Sequence, residues 1–325
     1  MDAVADVAES NVSSAWAAVD WFSDALDKTH FQGVFVGNLS ALALDPDGHI
    51  AALSDRSTLF TLDAATHEPV GVMSLLDEKG READFEALVF DHDGSILVAS
   101  ERSDIRRYTR EGKFVRMLPA PDSLRVAPAG RAEVNETFEG LALQPGGLTL
   151  VASMEGSLTG DDRRLVRFQT WERDGLDDEF RIAAQYGYAR DAGLAISDIS
   201  ASGDGRLLVV ERGFDRGAGN IIRLCLADPR GASDVSGLEN LTGRHDVRLM
   251  TKTLLADLVS GPSLGATSRQ PQANPLLGNI EGMTVTGHTP DGRLKLLMVT
   301  DDNQSRNQTT RLYGLTVRLP GLEGR

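Results

Sequence analysis

Cysteine is almost missing from this chain: among 325 residues there is one, Cys225. A lone thiol closes no internal disulfide, and cysteine-based zinc sites are excluded with it. Set in the apolar run Ile221–Leu226, Cys225 reads as a core residue. Histidine is scarce too, and the six residues are scattered without zinc spacing. No run reaches the roughly 18–20 apolar residues that a membrane-crossing helix needs. Met1 to Ser10 is acidic and lacks a basic stretch followed by an apolar one, so no signal peptide is read there. There is no Gly-x-Ser-x-Gly elbow, no His-Glu-x-x-His and no phosphate-binding glycine loop. Positive charge is in deficit: 33 Lys and Arg face 48 Asp and Glu, a formal net charge of −15. That balance argues against nucleic acid or an anionic membrane as the main partner. It suits divalent cations, and equally a plain acidic surface.

What the chain has is a repeat. Ser40-Ala-Leu-Ala-Leu-Asp-Pro-Asp-Gly48 leads into Ile50–Arg56, and Glu86-Ala-Leu-Val-Phe-Asp-His-Asp-Gly94 into Ile96–Arg102. Glu139–Gly147 leads into Leu148–Glu155, and Ser197–Gly205 into Leu207–Arg212. The fifth copy runs from Glu281 through Thr289-Pro-Asp-Gly292 to Asp301-Asp302-Asn303, with three extra residues before its glycine. Each copy reads as strand, glycine turn, strand. Further strands follow at Leu59–Leu62, Ile105–Tyr108, Leu165–Trp171, Ile221–Leu226 and Arg311–Val317.

The openings at Ser40, Glu86, Glu139, Ser197 and Glu281 stand 46, 53, 58 and 84 residues apart. The first three intervals suit a propeller blade. The last leaves room for a degenerate blade built on Val247–Leu249 and Thr253–Leu258. The expectation is an all-β chain: a β-propeller of about six four-stranded blades, closed by N- and C-terminal strands. Residues 18–320 form the propeller and residues 1–17 an extension. A strand near residues 18–24 closes the ring, because a ring left open exposes strand edges.

The turns define one end of every hairpin, so the residues flanking the hairpins meet at the other end. Asn38, Glu86, Glu139, Ser197, Asp198 and Glu281 enter there. Asp55, Arg56, Glu101, Arg102, Glu155, Glu211, Arg212, Asp301 and Asp302 leave there. Converging carboxylates repel, and a bound hard cation relieves the repulsion. Calcium fits first, then magnesium or manganese. Arg56, Arg102 and Arg212 follow acids at matching positions and fit an anionic small-molecule substrate such as a phosphate. The simpler reading pairs each arginine with its neighbouring acid and uses each repeated Glu to tie adjacent blades. Asp45, Asp47, Asp91 and Asp93 belong to the turns at the opposite end.

At these residues the chain resembles the phytase-like domain family labelled "esterase-like activity of phytase". The matching pieces are Asn38-Leu-Ser-Ala-Leu-Ala with Leu53-Ser-Asp-Arg56, and Thr137-Phe-Glu-Gly-Leu141 with Val151–Gly156. They continue in Ile196-Ser-Asp-Ile199 with Val209–Gly213, and Asn279-Ile-Glu-Gly-Met283 with Val299–Asn303. The resemblance implies a propeller akin to alkaline phytases, a calcium-dependent phosphoester hydrolase and an extracellular or periplasmic location, with the cytoplasm left open; apart from the resemblance, a monomer is expected. Carried over by motif position, it implies Glu139, Glu155 and Glu211 as catalytic and Arg56, Arg102 and Arg212 as substrate-binding. The implied metal ligands are Glu86, Glu139, Asp198, Glu281, Asp301 and Asp302. A metal-dependent lactonase or carboxylesterase, and a binding propeller with structural calcium, remain alternatives.

Overall fold

The computed structural model describes residues 13–321. The expected extension, residues 1–17, lies mostly outside them. The chain starts with β1 (Ala17–Ser23) and a short hairpin, β2 (His30–Phe31) with β3 (Val34–Phe35). Blade 1 follows as β4 (Leu39–Leu44), β5 (Ile50–Ser54), β6 (Thr58–Leu62) and β7 (Pro69–Ser74). Blade 2 is β8 (Phe85–Phe90), β9 (Ile96–Ser100), β10 (Asp104–Tyr108) and β11 (Phe114–Leu118). Blade 3 is β12 (Phe138–Leu143), β13 (Thr149–Met154), β14 (Leu165–Glu172) and β15 (Arg181–Ala189). Blade 4 is β16 (Ala195–Ala201), β17 (Leu207–Asp215), β18 (Gly219–Asp228) and β19 (Thr251–Asp257). Blade 5 is β20 (Asn279–His288), β21 (Leu294–Asp301) and β22 (Leu312–Val317), completed by β1 in antiparallel register, Ala17 opposite Val317.

The propeller expectation therefore holds, with five four-stranded blades in place of about six. The sixth was an over-reading of the last interval. Thr251–Asp257 pairs with β18 as the outer strand of blade 4, and Val247–Leu249 forms no strand. The extra length sits in long loops on either side of β19. The first is pinned by the buried Arg167, which donates to the carbonyls of Leu238 (2.9 Å) and Glu239 (3.1 Å).

Strand character follows position in the blade. β5 and β9 are buried along their whole length, since both faces of a blade pack on neighbours. Their Ile-Ala-Ala-Leu and Ile-Leu-Val-Ala runs are accordingly apolar without alternation. The outer β11 alternates, leaving Val115 and Met117 about half exposed. Gly48 and Gly94 close the inner turns at φ +86° and +80°, a region that L side chains avoid. Among the described residues no helix is long and apolar enough to cross a membrane.

One irregularity recurs and positions the site. Every innermost strand slips register by one residue near its start: at Ser40, Glu86, Glu139, Ser197 and Glu281. A bulged residue falls out of the regular alternation, which re-aims its side chain.

Candidate active site at the acidic mouth

Backbone pairing fixes which residues share a level. Asp55 N–H donates to Asn38 C=O at 3.0 Å, and Glu101 N–H to Asp84 C=O at 3.1 Å. Glu155 N–H donates to Thr137 C=O at 2.6 Å. In blades 4 and 5 the same step pairs Ala195 with Arg212 and Asn279 with Asp301. Asp55, Glu101, Glu155, Arg212 and Asp301 thus form one tier at the hairpin exits. The bulged residues, among them Glu86, Glu139 and Glu281, form a second tier. One cation stands in the first tier where the other blades place acids.

The closeness of the tiers raises the carboxyls in both. Burial pushes Glu139 well up, and Glu86, Glu155 and Glu281 push it further. Glu86 is raised by burial and then by Glu281, Asp84 and Glu101. Burial and Asp84 lift Glu101 to about 7. Glu155 also reaches about 7, raised by burial against the pull of Arg212. Asp301 rises to about 8 through burial and Glu281. Arg212 is held charged despite burial by Glu281, Glu139, Glu155 and Asp301. Its Nη1 donates to Asn279 Oδ1 at 2.8 Å, and its Nη2 lies 3.4 Å from Glu155 Oε1 and 3.3 Å from Glu281 Oε1.

Three expected residues are spent elsewhere. Glu211 sits one residue before the tier and points away from it. Its carboxylate accepts from Tyr188 Oη (2.7 Å) and Asp191 N (2.9 Å) and pairs with Lys252 Nζ at 2.5 Å. Asp198 staples blade 4 to blade 5, accepting from Met283 N (2.6 Å) and Ile199 N (2.8 Å). Asp302 pairs with Lys28 and accepts from Asn38 N at 3.0 Å. Arg56 and Arg102 are exposed, one residue beyond Arg212's level, so the three arginines do not share a position. Arg56 and Arg102 alone rim a cavity of about 470 Å³ between blades 1 and 2, with Asp55, Asp84 and Glu101 in its wall.

The sequence reading missed Asp84. Its signal was present: it stands two residues before Glu86, as Asn38 and Asn279 stand before Ser40 and Glu281. Among the described residues no ion pair reaches Asp84, Glu86 or Glu101. Beside them, Asn38 Oδ1 and Asp55 Oδ1 are buried acceptor atoms with no hydrogen-bond partner. Burial raises Asp55, its Asn38 hydrogen bond opposes that, and Asp84 raises it again. Unpartnered oxygens among uncompensated carboxylates are the donor chemistry of a hard divalent cation. The donor types suit such an ion, while among the described residues no three mouth carboxylates bring their oxygens within 4.8 Å of one another.

A tighter acidic group lies at the opposite end. The ligand atoms of Asp91, His92 and Asp93 fall within 4.8 Å of one another, closer than the mouth carboxylates stand. Asp91 is fully buried, however, and already carries Arg173 (2.9 and 2.5 Å) and Arg107 (3.0 Å). Two guanidiniums balance the charge that a cation would need, so the mouth is the better cation site.

A family model described as "Phytase-like: Esterase-like activity of phytase" matches residues 34–304. Among solved structures, Myxococcus xanthus glutaminyl cyclase aligns at TM-score 0.44 and 13% identity, covering 93% of this chain and 97% of that one. The WD40 repeats of RRP9 align at TM-score 0.42 and 11% identity, covering 93% and 98%. No curated protein sequence matches the chain.

Proposed function

The chain belongs to the phytase-like family, and from that premise we propose that it is a metal-dependent phosphoester hydrolase working at the acidic mouth. The family label and the propeller fit a hydrolase. One observation carries the finer reading: among the described residues Asp84, Glu86 and Glu101 make no ion pair, next to oxygens of Asn38 and Asp55 that receive no hydrogen bond.

Calcium is the first choice of ion, ahead of magnesium or manganese, because the donors are all oxygen. Asn38, Asp55, Asp84 and Glu86 would hold it. A divalent ion there would polarise a phosphoryl oxygen and acidify a bound water. Glu101, with its carboxyl near 7, is matched to accept that water's proton at neutral pH. Arg56 and Arg102 on the cavity rim would orient an anionic substrate and meet the charge that develops on it. Glu139 and Glu155, paired through Arg212, shape the far wall. Glu211 has no place in this mechanism.

Purified protein supplied with Ca²⁺, Mg²⁺ or Mn²⁺ should release phosphate from an aryl phosphate ester. Chelator should abolish release, and Glu101→Gln should lower kcat by about 10²–10⁴-fold. Absence of turnover across a broad panel of phosphate esters with all three ions would overturn the proposal.

A further inference from the structure

Five-fold repetition makes the one exception at the mouth informative. At the hairpin exits, four blades supply Asp55, Glu101, Glu155 and Asp301, and blade 4 supplies Arg212. Its partly buried guanidinium lies against Glu155 and Glu281, and Glu139 lies in its field. It therefore does on the side of blades 3 and 4 what a bound ion would do: it supplies positive charge where carboxylates crowd. The side of blades 1 and 2 has no equivalent. Arg56, the cation beside Asp55, is two-thirds exposed and stands 3.5 Å away. Lys28 is committed to Asp302.

The same side carries the unpartnered atoms. Asn38 is 3% exposed. Its Nδ2 donates to Asp55 Oδ2 at 3.2 Å, which turns the amide toward the acidic tier. Its backbone is tied at both ends, N–H to Asp302 and C=O to the N–H of Asp55. Neither Asn38 Oδ1 nor Asp55 Oδ1 receives a hydrogen bond, and the one cation near Asp55 Oδ1 among the described residues is the exposed Arg56, whose Nε stands 3.5 Å off. A buried acceptor without a hydrogen bond is costly, so two on neighbouring side chains call for a ligand that supplies positive charge.

We propose that Arg212 is a tethered counter-cation filling the blade 3–4 half of the mouth, and that it confines a single divalent cation to the opposite half, with Asn38 Oδ1 and Asp55 Oδ1 as ligands. This rests on the reading that the mouth takes a cation, and not on ester hydrolysis. The arginine replaces a second ion, so the mouth is mononuclear by construction. Removing its charge frees Glu139, Glu155 and Glu281 to hold an ion of their own.

Calcium titration calorimetry on chelator-treated full-length chain tests this. The expected result is one ion per chain. Asp55→Asn and Asn38→Leu should weaken binding by about 10–100-fold, while Glu155→Gln changes it by less than about 3-fold. Arg212→Met should raise the stoichiometry to two. If Asn38→Leu fails to fold by circular dichroism, Asp55→Asn alone decides. Two ions on the unaltered chain, no calcium binding at all, or Glu155→Gln as damaging as Asp55→Asn would overturn the proposal. A chain that binds one ion in this half and cleaves no ester loses the hydrolase reading and keeps this one. Calcium-dependent ester cleavage with the Glu155→Gln sensitivity just described does the reverse.

Discussion

At the turn end of the propeller, Asp93, Asp204 and Asp291 all lie near 2, far below ordinary carboxyls. Asp204 overcomes partial burial through Arg206 and Ser202, and Asp291 is stabilised by Arg293 and Thr289. At the mouth, Glu101, Glu155 and Asp301 lie near 7 to 8, with burial as the first cause of each rise. The same hairpins build both ends. The difference lies in what each acid faces. Turn acids face a hydroxyl or an arginine a few residues away, so their charge is met locally. Mouth acids face other acids, from their own hairpin, as Asp84 beside Glu101, and from other blades. Local sequence therefore satisfies one end, while at the other Arg212 meets part of the charge and the side of blades 1 and 2 has no comparable partner among the described residues.

The contrast breaks most severely at Arg212. Arg212→Met should destabilise the chelated protein by about 3–5 kcal/mol in urea unfolding, because it leaves buried acids unopposed. Excess calcium should restore much of that loss.

The two ends should also separate by pH. A carboxyl raised in the folded state favours folding below its unfolded value and loses that contribution as pH climbs to the folded value. For Glu101, Glu155 and Asp301 the window runs from the ordinary carboxylate range near 4 up to 7 or 8. Chelated protein should thus lose thermal stability steadily between about pH 5 and 8, at up to about 1.4 kcal/mol per pH unit for each group titrating. Calcium should flatten the profile. The depressed turn acids act in the opposite direction, losing their contribution as pH falls from near 4 toward 2. A chelated Tm that rises from pH 5 to 8 would contradict the contrast.

Smaller effects sharpen it. Asp198→Ala should cost about 1–3 kcal/mol by stranding two buried N–H groups, and should leave calcium stoichiometry unchanged. At the far end, Asp291→Asn should give no resolvable change in Tm, since the residue is solvent-exposed and its partner Arg293 is too.

Much of this was legible in the chain. The five repeats are the five blades, their glycines sit in the inner turns, and the opening Glu residues are the bulges facing the mouth. Two features were hidden. Val247 and Leu249 look like strand residues but lie in a loop held by Arg167, a contact between residues about 70 positions apart. The dipeptide Glu211-Arg212 resembles Asp55-Arg56 in composition, yet pairing sets it one step off. Residues one apart on a strand face opposite ways, so that single step sends Glu211 to Tyr188 and leaves Arg212 in the mouth.

The fifth sheet joins the first described strand to the last. During synthesis Ala17–Ser23 leaves the ribosome long before its partner Leu312–Val317 exists. For most of translation the molecule can be no more than an open arc of stacked sheets with a waiting edge. The acids Glu281 and Asp301 also arrive only with the closing sheet. Closure of the circle and completion of the mouth are therefore one late event, and ion loading before it would meet an unfinished receptor.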